Sequence, residues 1–229
     1  MTSLRVLSGG AAHGLVRSLA PAFKEKTGLS VDGEFGAVGG MATRFREGDP
    51  ADFLILTRAL IEALAAEGRL VPGSITDVGR VATCVAVPAG QAHPDVHTPE
   101  ALKAAWQRAE SLFVPDMTKS TAGQHVAKVL SMLGLAEEMA PRIREFPNGA
   151  TAMAALAASG AQGAFGCTQA TEILATDGLD VIGELPGPLA LTSMYTAAVA
   201  LSSPRGTEAA QFIAALSSAS IREDLGFSV

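Results

Sequence analysis

Short apolar runs alternate with amphipathic stretches along almost the whole chain, and at several of the switches stands a turn of small residues. The first such turn is Ser8-Gly9-Gly10-Ala11-Ala12-His13-Gly14, between an apolar strand over Leu4–Leu7 and a helical pattern over 10–27. The alternation continues with a strand at 30–35, a helix at 39–48, a strand at 52–56, a helix at 59–67 and a strand at 80–87. Helical patterns at 99–108, 122–133, 151–158, 170–176 and 206–217 then alternate with strands at 111–114 and 163–167 and an apolar stretch at 193–201. This order predicts an α/β fold of mostly parallel sheets with helices on both faces. Ligands of such sheets lie at the C-terminal ends of the strands.

The small-residue turns predict what is bound there. The first N–H groups of a helix have no partner inside it, and glycine lets an anion approach them closely. Gly10 and Ala11 stand at such a position, and the pattern recurs at Gly36-Ala37-Val38-Gly39-Gly40 and at Thr118-Lys119-Ser120-Thr121-Ala122-Gly123. Val38, Gly39, Gly40, Thr121, Ala122 and Gly123 are therefore expected to offer backbone donors to one small anion.

Composition narrows the class. A net charge of -6 with scattered Lys and Arg excludes a non-specific nucleic-acid binder. With aromatics at 5 %, an aromatic-lined carbohydrate site is not expected. Cys84 and Cys167 match no metal-ligand spacing, so no metal site is expected, and their spacing leaves open whether they meet. No run approaches the roughly 18 apolar residues of a membrane span. The first strand begins at Leu4, with no charged and apolar leader before it, so the sequence as written reads as cytoplasmic. A signal removed ahead of Met1 would make it periplasmic.

Val6-Leu7-Ser8-Gly9-Gly10-Ala11-Ala12, the run Gly48-Asp49-Pro50-Ala51-Asp52-Phe53-Leu54-Ile55-Leu56, the Thr121-Ala122-Gly123 helix start and Ser159-Gly160-Ala161-Gln162-Gly163-Ala164 resemble the type II periplasmic binding proteins, in their molybdate-binding branch. The resemblance spans nearly the whole chain. It implies two lobes on a two-strand hinge that close on a ligand in the cleft, with lobe 1 from 1–82 plus 199–229 and lobe 2 from 83–198. Where that branch offers serine hydroxyls and a tyrosine, this sequence holds Ala11, the Ala37-Val38-Gly39 stretch and Gly166. Each hydrogen bond lost to a charged group costs about 1.5–3 kcal/mol.

His13, Thr57-Arg58, Lys119 and Cys167-Thr168-Gln169 stand in exchange, and guanidinium and ammonium groups beside N–H nests suit a carboxylate. The runs Gly166-Cys167-Thr168-Gln169-Ala170-Thr171-Glu172 and Pro115-Asp116-Met117-Thr118-Lys119 are also similar to aconitate isomerases, enzymes of this fold. That resemblance implies a cofactor-free isomerase of a small polycarboxylate, working by a 1,3-allylic proton shift. His13, Lys119 and Thr168 are then the catalytic candidates. Gly10, Ala11, Val38, Gly39, Gly40, Thr57, Arg58, Thr121, Ala122, Gly123, Cys167 and Gln169 are the ligand-binding candidates. Each side chain also has a plain structural role open to it: His13 as a surface or capping residue, Arg58 in an ion pair, Lys119 in a solvated loop, Cys167 in the core, Thr168 and Gln169 as helix caps. The alternative is a solute-binding protein for molybdate, tungstate or another oxyanion, with the permease of an ABC importer as its partner. In either case the binding partner is a small anion, a tricarboxylate or an oxyanion.

Overall fold

The computed structural model describes residues 3–228. β1 (Ser3–Gly9) runs through a single 3-10 turn, Gly10–Ala12, into α1 (His13–Thr27). The same unit repeats in β2 (Ser30–Gly36), α2 (Val38–Arg46), β3 (Phe53–Thr57) and α3 (Arg58–Ala66). After β4 (Thr76–Pro88) come α4 (Pro99–Gln107), β5 (Ser111–Pro115), α5 (Thr121–Met132), α6 (Ala136–Met139) and β6 (Ile143–Phe146). They are followed by α7 (Gly149–Ser159), β7 (Ala164–Gln169), α8 (Ala170–Leu174) and β8 (Leu179–Glu184), and β9 (Thr192–Val199) and α9 (Gly206–Ser218) close the order.

The chain divides into two compact units, one made of the residues up to 81 and those from 193, the other of Ala82–Thr192. The sequence boundary at 199 falls later than this. Tyr195, Thr196, Ala197, Ala198 and Val199 pair antiparallel with β3, which draws them into the first unit.

In the first unit β1 lies between β2 and β3, parallel to both, with Gly9 opposite Gly36 and Ser8 opposite Ile55. The equal register brings the C-terminal ends of all three strands to one edge. Phe212 of α9 meets Phe23 of α1 edge-on at 4.9 Å and Phe53 of β3 at 5.6 Å, all three rings buried. At the opposite edge the buried Asp52 carboxylate accepts the Arg5 N–H at 2.8 Å and the Ser203 hydroxyl at 2.6 Å. This is the tying role that the Asp49-Pro50-Ala51-Asp52 turn predicts.

In the second unit β5 is parallel to β6 and β7, whereas β4 is antiparallel to β7 and β8. Side chains alternate between two buried clusters. Val85, Phe165 and Cys167 face the apolar side chains of α4 and α5, and Cys84 and Ala86 face Ala152, Met153 and Leu156 of α7. The strands are thus mixed, parallel within β1–β3 and within β5–β7 and antiparallel at β4, β8 and β9. The alternating pattern does not mark β6, β8 or the short α6. β6 and β8 are short and mostly half-buried, and they add only isolated apolar residues to the clusters, Ile143 and Phe146 from β6 and Leu179 and Ile182 from β8, so they carry no continuous apolar run for a sequence reading to find. Among the described residues, no helix is long and apolar enough to cross a membrane.

Candidate functional site

The first unit presents three consecutive turns from strand to helix at the edge where β1, β2 and β3 end. Among the described residues, none of the N-cap residues of the Gly10–Ala12 turn, α1, α2 or α3 makes a side-chain cap hydrogen bond. Caps of Ser, Thr, Asp or Asn normally satisfy such groups, and here the His13 N–H donates instead to the Gly10 carbonyl. Gly9 permits the close packing here. A Cβ on it would lie 2.6 Å from Val38 Cγ1 and 2.9 Å from Tyr195 Cε1. Tyr195 itself lies opposite Thr57 in the β3–β9 register, its ring buried and edge-on to Phe227 at 6.4 Å. In the sequence Tyr195, the single tyrosine, stands within the apolar stretch 193–201.

The side chains singled out in this unit take different places. Val38 and Ala11 are buried, so they contribute backbone only. Arg58 is held by Glu62 at 3.0 Å and by Asp77 at 2.5 Å, and Asp77 also accepts the buried Thr196 hydroxyl at 2.8 Å. Its positive charge is thereby shared between two carboxylates. His13 lies against the Phe35 ring, with centroids 4.5 Å apart, at one end of a groove of about 420 Å³ between α1 and β2 that Arg17 and Lys24 also line. Desolvation in this setting, and then the charge of Arg17, lower its pKa below the ordinary 6.5, so the imidazole is neutral at pH 7.

In the second unit the expected turn before α5 is already partly filled. The Asp116 carboxylate accepts the N–H groups of Thr118 and Lys119 and the Thr118 hydroxyl, at 2.7–2.8 Å, and these bonds, the Thr118 hydroxyl first, hold it below the usual Asp range. Ser120 caps α5 through a long 3.4 Å bond from the Gly123 N–H. Gly123 must be glycine, since the Pro115 and Asp116 carbonyl oxygens occupy the space of a Cβ. Lys119 is exposed, and its ammonium has no ion pair among the described residues.

At the end of β7 the structure separates the run 167–169. Cys167 is fully buried among apolar side chains, and desolvation pushes its thiol pKa up, so it supplies no thiolate and does not join the polar groups. Cys84 is likewise buried with its thiol pushed up to about 12, and both cysteines are free. Thr168 faces α7, where its Oγ1 lies 2.6 Å from Glu172 Oε2 inside the protein. Backbone N–H groups of Gln169 and of Ala150, in the first turn of α7, bond the same carboxyl, yet burial outweighs all three contacts and pushes its pKa up to about 7. The α7 start therefore carries an internal acid that sequence reading did not single out. Gly149 makes room for it, because a Cβ there would overlap Glu172 and Thr168.

Gln169 faces the α5 side. Its amide nitrogen and oxygen are buried with no hydrogen-bond partner among the described residues, and so is the Thr83 hydroxyl opposite it. A buried polar group left unpaired costs about 1–3 kcal/mol. Gly166, where the resemblance implied a missing tyrosine, lies under Met153 Cε and Leu156 Cδ2, with a Cβ there only 2.6–2.8 Å from them. That position belongs to the core. Among the described residues no group of three or more His, Cys, Asp or Glu side chains could hold a metal ion.

The comparisons agree with this architecture. The chain is similar to the aconitate isomerase of a Pseudomonas species, 28 % identical over 238 aligned positions that cover 99 % of this chain and 87 % of that protein. Its structure is similar to the periplasmic molybdate-binding protein of Azotobacter vinelandii, with a TM-score of 0.79 and 19 % identity over 99 % of both chains. A TM-score of 0.76 and 15 % identity relate it to a sulfate-binding protein of Mycobacterium tuberculosis, over 99 % of this chain and 86 % of that one. The sequence profile matches residues 4–225: the chain belongs to the bacterial extracellular solute-binding protein family.

Proposed function

We propose that this chain binds a small polycarboxylate anion and isomerises it by a cofactor-free 1,3-proton shift, as its likeness to aconitate isomerase implies. The observation that carries this reading is the donor set of the first unit: uncapped first-turn N–H groups at the ends of β1–β3, with Ala11 and Val38 where hydroxyl side chains would serve a compact oxyanion. Carboxylates spread over several carbons can be held at separate points by N–H groups and cations. The 28 % identity over 99 % of the chain supports the same ligand class.

In the proposed reaction a base removes a proton from the carbon next to a carboxylate. The pair of electrons spreads over the allylic system onto carboxylate oxygen, and the proton returns at the far allylic carbon. His13, neutral at pH 7, is the proposed proton carrier. Fixed N–H donors and Lys119 stabilise the added negative charge without reorganising. Thr168 is less suited to carry the proton, because its hydroxyl is engaged by Glu172 in the interior. A second reading, a receptor for molybdate or another oxyanion serving an importer, draws on the family match and the structural neighbours.

A thermal-shift screen against cis- and trans-aconitate, citrate, molybdate, tungstate and sulfate separates the two, with NMR following each organic ligand over time. Stabilisation by a tricarboxylate with appearance of its isomer is the expected result. Stabilisation by molybdate or tungstate alone overturns the isomerase and makes the chain an oxyanion receptor.

A further inference from the structure

Thr83 and Gln169 are direct partners across the antiparallel β4–β7 pair. Both backbone groups of Thr83 point away from β7: its N–H donates to the Leu191 carbonyl at 2.8 Å and its carbonyl accepts from Leu185 at 3.1 Å. The two residues therefore form a non-hydrogen-bonded pair, the kind whose side chains stand closest together. One step along the same face the pair is Val85 with Cys167, embedded in apolar side chains. A polar pair thus ends an apolar stripe, where β7 reaches its C-terminal end beside the turn that starts α5.

Three polar atoms in this pair are buried and have no partner among the described residues: Thr83 Oγ1, Gln169 Nε2 and Gln169 Oε1, on residues 1 % and 3 % exposed. The donors among them suit any anion. The Gln169 carbonyl oxygen does not, since it accepts only and would face the oxygen of a fully ionised molybdate or sulfate without a proton between them. We propose that Gln169 and Thr83 form a subsite that reads an O–H group on the ligand, set beside an oxygen acceptor. Nε2 donates to the ligand oxygen and Oε1 accepts the ligand O–H. The Thr83 hydroxyl completes the contact. Two sources share this chemistry, the hydroxyl of a hydroxy-carboxylate and the undissociated carboxyl of a polycarboxylate. The inference rests on the carboxylate reading above and specifies its ligand.

The test uses the whole chain and matched ligands, malate against succinate and citrate against tricarballylate, by titration calorimetry at pH 5.5–8. If the subsite reads a hydroxyl, malate and citrate bind about tenfold or more tightly than their partners at pH 8. If it reads an undissociated carboxyl, the members of each pair bind alike, and affinity for both falls about tenfold per pH unit once the last carboxyl ionises. Gln169→Leu abolishes whichever dependence is found, and Thr83→Val weakens it. Neither substitution lowers the melting temperature without ligand, because each removes an unpaired polar group; Thr83→Val, nearly isosteric, is the control should Gln169→Leu fold poorly. Carboxylate binding with the dependence intact in both variants overturns the subsite and leaves the carboxylate reading standing. Binding of molybdate or sulfate alone overturns both.

Discussion

Buried polar residues carry the most information here, because each needs a partner. Glu172 is ionised above pH 4.5 in an unfolded chain and near pH 7 in the folded one, so the folded state binds the extra proton between these values. Its contribution is fully present below about pH 4.5 and lost as pH rises through 7, a change of about 3 kcal/mol. Urea unfolding of the wild type and of Glu172→Gln at pH 5 and pH 8 should show that slope in the wild type and a smaller one in the variant. Gly123 gives a steric test. Gly123→Ala places a methyl group against two backbone carbonyls and should destabilise the second unit by about 3 kcal/mol, read from the denaturation midpoint. The sequence marks Gly123 as part of a helix-start turn offering an N–H donor, whereas the steric need for glycine there comes from the Pro115 and Asp116 carbonyls. The acid at 172 was not, because nothing within a few residues of it shows that α7 will begin against it.

At the scale of elements, the turns from strand to helix divide into open and filled. Those of the first unit have no side-chain cap among the described residues, whereas the turn before α5 holds the Asp116 carboxylate within it. Asp116→Ala should release Thr118 and Lys119 and cost about 1 kcal/mol of stability, with faster amide exchange confined to residues 118–123. Cations on these elements should differ in effect. Lys119→Ala is expected to lower carboxylate affinity about tenfold, and Arg58→Ala less, since Glu62 and Asp77 already share the Arg58 charge. Equal losses in calorimetry would show that Arg58 leaves its ion pairs to meet the ligand. The strand and helix spans follow the sequence pattern closely where a run of residues is buried, and β6 and β8 escape it because each is short and buries only isolated apolar residues, such as Ile182.

Across the whole molecule, ligand binding is coupled to stability. At a ligand concentration 100 times its dissociation constant, a single site adds about 2.7 kcal/mol, which raises the melting temperature of a chain this size by about 5–10 °C.

By itself the sequence determined the class of fold, most of the order of strands and helices and the places where small-residue turns precede helices, because apolar period and turn chemistry are properties of neighbouring residues. Tertiary structure decided which of the polar residues are available. It set Thr83 against Gln169, Tyr195 against Gly9, Asp77 against Arg58 and Glu172 against the α7 start. Strand register and helix packing join residues far apart in the chain, and a side chain's partners, and with them its charge and its freedom to meet a ligand, exist only once those pairings are made.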